Sequence, residues 1–454
     1  MIEQGPARRP PMIGAAVATL RRWLAEGTLR RVFRNAGVLL GGKAVAGLFG
    51  LGALALTARA LGPEVFGVLI LVHTYVKLIG GLTKFQSWQT VIHFGARCLD
   101  EQRKGDFRRL IAFTFLLDGA SALVGAAVAV AFAALAAGWL GWGDDTVPLA
   151  VAYSALLLVT IKATPVGILR LFDRFDLLSV QSAVSPAVRL AGAGIAYAVG
   201  GGLEAFLIVW FLSGAADGVT LLALSWREFG RRGLRDGFFS IRGSLVAPFP
   251  GLWRFAWTAN LNSAVTTVGE HLSTLVVGWV LGPAPAGLYK IAGRYAHALA
   301  TPAGLLRRTV YPELAKLSAR GGVKASRKVV LRAGLIAGSV ALAVLVLLVP
   351  LGEPLLRITV GEAYVGAYGV LLLLTLATAV LVFGFALEPA LYAMGRPDLL
   401  LRISLIMVLV NIPLLYGLLL WLGLIGAGIA AVAGAVTWFG VLVMVAMRGW
   451  RAAT

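Results

Sequence analysis

The chain is patterned as long apolar blocks separated by short polar stretches. Blocks lie near residues 36–60, 65–86, 110–138, 147–168, 177–200, 203–225, 256–281, 286–306, 329–350, 367–387, 399–421 and 424–447. Most have about the twenty residues an α-helix needs to cross a hydrocarbon core. The pattern predicts an all-α integral membrane fold of about twelve transmembrane helices. Composition agrees: 59% of the 454 residues are hydrophobic and 14% charged, where a soluble domain carries about a quarter charged.

The polar stretches are unequal. One set holds almost all Lys and Arg: the N-terminal arm, the segment with Arg97, Arg103, Lys104, Arg108 and Arg109, Arg170 with Arg174, the stretch Arg227 to Arg254, the run Arg307 to Arg332, and Arg396, Arg402, Arg448 and Arg451. The alternate set consists of short turns, at 61–64, 138–146, 200–204, 281–287, 351–364 and 421–423, and holds only Arg357. Basic loops stay on the cytoplasmic side, so both termini are expected there. The formal charge of +20 is accounted for by these loops, and no nucleic-acid partner is expected.

Ile13, Val17, Leu20 and Leu24 fall at helical spacing beside Arg21 and Arg22. They read either as an amphipathic helix on anionic lipids or as a disordered basic arm. The short apolar stretch has no small-residue cleavage site, so it does not read as a signal peptide. A single cysteine, Cys98, and four scattered histidines offer neither a disulfide framework nor a metal site.

The chain repeats itself. Leu61-Gly62-Pro63, three residues, Gly67 recurs 220 residues later as Leu281-Gly282-Pro283, three residues, Gly287, and Arg34, Ala36 and Tyr75 recur as Arg254, Ala256 and Tyr295. Asp173-Arg174-Phe175-Asp176-Leu177-Leu178 is echoed by Gly395-Arg396-Pro397-Asp398-Leu399-Leu400 at 222 residues. Six spans separate the copies, so the halves share one orientation and are related about the membrane normal, an arrangement that encloses a central cavity. The organisation expected is a basic arm at 1–34, a six-span lobe at 35–226, a basic linker at 227–254, a second lobe at 255–447 and a tail at 448–454.

The segment Thr57-Ala58-Arg59-Ala60-Leu61-Gly62-Pro63-Glu64-Val65-Phe66-Gly67 resembles the polysaccharide-transporter branch of the multidrug/oligosaccharidyl-lipid/polysaccharide exporter superfamily, which includes the Wzx-type O-antigen and exopolysaccharide flippases. The likeness extends in topology over nearly the whole chain. It implies a V-shaped, MATE-like alternating-access transporter that turns polyprenyl-diphosphate-linked glycans from the cytoplasmic to the periplasmic leaflet, for O-antigen, capsule or exopolysaccharide synthesis. A polysaccharide polymerase or export complex is an implied partner.

Charges inside the spans mark candidate sites, because each is costly at bilayer depth unless it meets a partner or a polar cavity. His73, Lys77 and Lys84 share one face of the second span, and Lys290, Arg294 and His297 form a similar stripe on the eighth. Two basic stripes, one per half, with Lys43 on the first span, suit a cavity that receives a diphosphate, since arginine and lysine both bind phosphate oxygens. The bland alternative is snorkelling of Arg59, Lys84 and Arg189 to an interface, with Lys162 paired to Asp118. The seventh span carries Ser263, Thr266, Thr267, Glu270 and Thr274. Coupling to Na⁺ or to protons through Glu270, with Thr266 and Thr267, is one reading, and a salt bridge from Glu270 to Lys290 or Arg294 is the other. Asp118 and Asp217 are further coupling candidates.

Gly37, four residues, Gly42-Lys43 comes near a nucleotide-binding loop, but Ala44 stands where Ser or Thr would hold Mg²⁺, and the segment is a membrane helix. No ATPase, enzyme or cofactor is expected. A glycosyltransferase or polymerase would need a large external loop; the turn with Asp144 and Asp145 is short, and its Trp139 and Trp142 read as interfacial anchors. A multidrug exporter of the same superfamily is the nearer alternative, but a cavity for cationic drugs should be acidic.

Overall fold

The structure is a computed structural model that describes residues 27–143, 145–240, 243–298, 323–393 and 397–452. The expected amphipathic helix around 13–24 lies outside the described residues. Every described element is helical. In order they are α1 (Gly27–Thr83), α2 (Ser87–Asp100), α3 (Lys104–Ala131), α4 (Ala133–Leu140), α5 (Thr146–Ser154), α6 (Leu156–Val159), α7 (Ala163–Leu171), α8 (Phe175–Ala198), α9 (Leu203–Arg231), α10 (Leu252–Leu281), α11 (283–298), α12 (Val323–Thr359), a 3₁₀ turn (Glu362–Ala367), α13 (Tyr368–Phe383), α14 (Leu387–Ala393), α15 (Pro397–Leu422) and α16 (Leu424–Ala452). Among the described residues, eight stretches are long and apolar enough to cross a membrane, the first of them Gly41–Asp100. The protein is an all-helical, multi-span membrane protein.

That first stretch contains two of the expected spans. Gly62, at φ 69° and ψ 169°, breaks α1 into two arms. The arms run antiparallel: on the first, Gly42 packs on Ser179 and Gly52 on Leu190 of α8, while on the second the order reverses, His73 meeting Trp210 and Lys84 meeting Thr160. The repeat has the same geometry in its second copy, where Gly282 has φ 90° and ψ −177°. Backbone of this kind is accessible to glycine almost alone, and the proline that follows opens the next helix.

The two copies pack on each other. A Cβ on Gly67 would run into the Pro283 carbonyl, and one on Gly287 would lie 3.1 Å from the Pro63 carbonyl oxygen and from Phe66. Around them Tyr364 Oη donates to Ala58 O at 2.8 Å, the Tyr364 and Phe66 rings meet edge to face, and the Arg59 guanidinium donates to Ile358 O. The two repeat tyrosines do equivalent work, Tyr75 Oη donating to Ala129 O of α3 and Tyr295 Oη to Thr359 Oγ1 of α12, each at 2.7 Å. A core of Phe66, Leu71, Trp142, Tyr364 and Leu371 joins the halves at this end.

Several expected boundaries move. The second span does not end near 86: after a break at 84–86 it resumes as α2 and carries Arg97 on a helix rather than a loop. The fourth is interrupted at 160–162. The turn placed at 351–364 is largely helix, since α12 runs to Thr359 through Pro350 and Pro354. Trp142 is no interfacial anchor; it is 7% exposed and packs edge-on against Tyr75, whereas Trp139 is 60% exposed.

Candidate anion-binding site

The interruptions in the second and fourth spans lie side by side. Pro165 explains the one at 160–162, because its ring would collide with the carbonyl four residues back, on Ile161, if the helix continued. Gly218 of α9 lets this irregular backbone come close, since a Cβ there would strike the Val159 carbonyl. Ends of helices inside a membrane expose unpaired backbone groups, and here two charged side chains take them up. Lys84 Nζ donates to Thr160 O at 3.1 Å and to Thr160 Oγ1 at 2.7 Å, placing a cation where α6 ends. The buried Asp118 carboxylate sits where α2 and α7 begin, accepting from Ser87 Oγ, from Thr164 N at 2.9 Å and from Thr164 Oγ1 at 2.8 Å. Cation at helix C-terminus and anion at N-terminus is the arrangement the helix dipoles favour.

Lys162 stands on the interrupted backbone itself. Its ion pair is with Asp217, halfway along α9, and not with Asp118; Asp217 also accepts from Gln181 Nε2 of α8. Next to it, on the second arm of α1, Lys77 has no hydrogen-bond or ion-pair partner among the described residues, and Lys84, Lys162, Arg189 and Asp217 are all within electrostatic reach of it. One turn further, His73 Nδ1 lies 2.7 Å from Tyr153 Oη, and its ring meets the edge of Trp210. The Arg189 guanidinium covers Trp210 at 4.3 Å and donates through Nε and Nη2 to Ser213 Oγ, each at 3.2 Å.

The second half contributes from α10 and α11. Lys290 and His271 come within electrostatic reach of His73, and Arg294 within that of Arg189. Arg294 reaches over to the first arm of α1, where a Cβ on Gly50 would lie 2.9 Å from its Nη2. Thr267 packs against Gly81, so α10 and α1 touch directly beside the cluster. Lys43 and His297 are exposed on their helices. The side chains of Ser263, Thr266 and Glu270 lie outside the described residues.

The structure therefore brings together His73, Lys77, Lys290 and Arg294 from the two predicted stripes. It adds Arg189 and His271, which sequence reasoning did not place in the site. Among the described residues the cluster holds six full cations, at Lys77, Lys84, Lys162, Arg189, Lys290 and Arg294, against two carboxylates, at Asp118 and Asp217. Both carboxylates have partners already. No group of three or more His, Cys, Asp or Glu able to hold a metal ion occurs among the described residues. Chemically, the cluster is a receptor for a multivalent anion. Away from it, beyond the spans, Arg174 binds Asp176 through two bonds of 2.9 and 2.8 Å and holds that carboxyl below the usual range, while a third nitrogen reaches buried Glu228.

Comparison with known proteins identifies the family. Residues 32–318 match the model of the polysaccharide biosynthesis protein family. The inner membrane protein YghQ of Escherichia coli (strain K12) is 34% identical over 358 residues, which are 77% of this chain and 98% of that protein. The chain belongs to the polysaccharide biosynthesis protein family. Its fold resembles that of the lipid II flippase MurJ in an inward closed conformation, with which it aligns at a TM-score of 0.70 and 14% identity, covering 91% of this chain and 89% of that one. An inward-facing multidrug resistance MATE family transporter aligns at 0.65 and 15% identity, covering 92% and 96%. Family and fold together describe a multi-span membrane protein of polysaccharide biosynthesis that shares its fold with these two transporters.

Proposed function

We infer that this protein is a flippase of the bacterial inner membrane that carries a polyprenyl-diphosphate-linked oligosaccharide from the cytoplasmic to the periplasmic leaflet. The observation that carries the reading is the cluster to which both halves contribute basic side chains, Lys77 and Arg189 from one and Lys290 and Arg294 from the other. Surplus cations at this depth are sustained by water or by an anion. A diphosphate meets several of them at once, its oxygens taking paired N–H donors from arginine and point charges from lysine. The polar headgroup crosses between the halves while the hydrocarbon tail stays in lipid. The kinship with YghQ, an inner membrane protein, supports the location. The contacts between Gly67 and Pro283, Tyr364 and Ala58, and Arg59 and Ile358 join the halves at the end opposite the basic loops, and ring contacts of His93 with Phe255 and Phe85 with Trp257 join them at the other.

Reconstitution in liposomes with a labelled polyprenyl-diphosphate glycan tests this, with and without Na⁺ or proton gradients. Lys77→Ala, Lys290→Ala and Arg294→Ala are each expected to slow transbilayer movement about tenfold or more, the effect of losing one charge-assisted contact in a site of this kind, while remaining folded. Wild-type rates in all three variants would sink the cavity assignment. A wild type that moves no glycolipid but exports a cationic dye would make the protein a drug exporter.

A further inference from the structure

Among the described residues, Asp217 is the carboxylate of the cluster that pairs with a cation of the site instead of capping helix ends. It is buried on α9, with its side chain 12% exposed, and its two oxygens are taken by Lys162 and Gln181. Lys162 is different: it projects from the non-helical residues 160–162, and its side chain is 33% exposed and bonded to Asp217 alone among the described residues. Lys77, partnerless among the described residues, lies within electrostatic reach of both. Two neighbouring ammonium groups thus differ: Lys77 has no such bond among the described residues, and Lys162 is held by an internal anion.

We propose that Asp217 is a resident counter-anion, and that an incoming diphosphate, met first by Lys77, takes Lys162 away from it. The proposal rests on the anion-site reading above and adds how the site is loaded: by exchange of one anion for another on Lys162, with Gln181 and the buried surroundings retaining Asp217. The Lys162 carbonyl is held at the start of α7 by Val166 N at 3.0 Å, so the exchange needs only a side-chain movement. Asp217 then sets affinity. It weakens binding of the headgroup, and it returns to Lys162 when the headgroup leaves, which speeds release on the far side. Asp217 and Gln181 are accordingly positioning residues, acting on the substrate through competition for the Lys162 ammonium, which binds it directly.

The test uses the full-length protein in lipid nanodiscs, with inorganic pyrophosphate as the probe and binding read by calorimetry. Asp217→Asn, which keeps shape and removes charge, is expected to bind pyrophosphate tighter by roughly fivefold or more, the lower end of typical coupling between two ligands competing for one state. In the Asp217→Asn, Lys162→Gln double variant that gain should vanish, an outcome that a merely structural Asp217 would not produce. Lys77→Ala should weaken binding in either background. Unchanged or weaker binding by Asp217→Asn, with Lys77→Ala still weakened, would overturn the exchange and leave the anion site standing. If Lys77→Ala binds as wild type does, or wild type binds no pyrophosphate, the anion site itself fails and the exchange fails with it. Should Asp217→Asn not fold, Lys162→Gln alone decides: weaker pyrophosphate binding supports the exchange, and wild-type affinity overturns it.

Discussion

Asp118 accepts from one hydroxyl at the start of α2 and from the amide and hydroxyl of Thr164 at the start of α7, so its acceptor capacity is spent on two helix ends. That makes it a test of what holds the breaks together. Asp118→Asn can turn its Nδ2 toward Ser87 Oγ, which then accepts, so both Thr164 bonds survive without their charge assistance, at an expected cost of about 1 kcal/mol. A lower melting temperature in detergent checks this, and Asp118→Ala should lower it further. If Asp118→Asn instead keeps full stability but abolishes dependence on an ion gradient, Asp118 belongs to coupling and not to capping. Side chains of this sort show how far sequence reasoning reaches. Lys77, Lys290 and Arg294 were legible because a charge in an apolar block is costly and their spacing put them on one helical face. Arg189 was not, because its place in the site depends on Trp210 and Ser213 of the next helix, a relation set by helix rotation and invisible in the run of residues around it. His271 was missed for the same reason: nothing in the sequence of α10 says that its ring faces Lys77 and Lys290.

At the scale of elements, the repeated Leu-Gly-Pro turn was the most legible feature, since φ and ψ near 69° and 169° exclude other residues and leave glycine as a fixed mark in the sequence. What the sequence did not disclose is that the two turns pack on each other, which gives the later glycines, Gly67 and Gly287, their purpose. Their surroundings differ in tightness. A methyl on Gly67 meets backbone of Pro283 that cannot move aside, whereas one on Gly287 has 3.1 Å to Phe66 and to the Pro63 carbonyl. Gly67→Ala is therefore expected to lower the melting temperature more than Gly287→Ala, by an overpacking cost of about 1–3 kcal/mol for the former, and to slow transport because the closed periplasmic end is strained. Equal effects would mean that the two turns are not pressed together as described. The break at 160–162 had a signal in Pro165, but an apolar block with a proline near one end also reads as a helix with its terminus there. The break at 84–86 has neither glycine nor proline, and Lys84 and Asp118 maintain it through contacts between spans, so its only trace was polarity at Gln86 and Ser87.

For the whole molecule, direction of transport follows from orientation, and orientation rests on the distribution of Lys and Arg. The same rule fixes which side of the membrane the paired Gly-Pro turns face, so a single measurement bears on both. Cys98, the sole cysteine, is buried and should give little background to a membrane-impermeant maleimide. Phe239, 88% exposed on the segment between the halves, and Glu362, with 71% of its side chain exposed at the start of the 3₁₀ turn, lie at opposite ends. Losing Glu362 removes only an exposed ion pair to Arg357, which contributes little. In right-side-out spheroplasts Glu362→Cys is expected to label at once and Phe239→Cys only after the membrane is permeabilised. The reverse pattern would place the basic segments outside. The basic segments would then no longer mark the loading side, so the inferred direction of flipping would reverse while the chemistry of the cluster stayed the same.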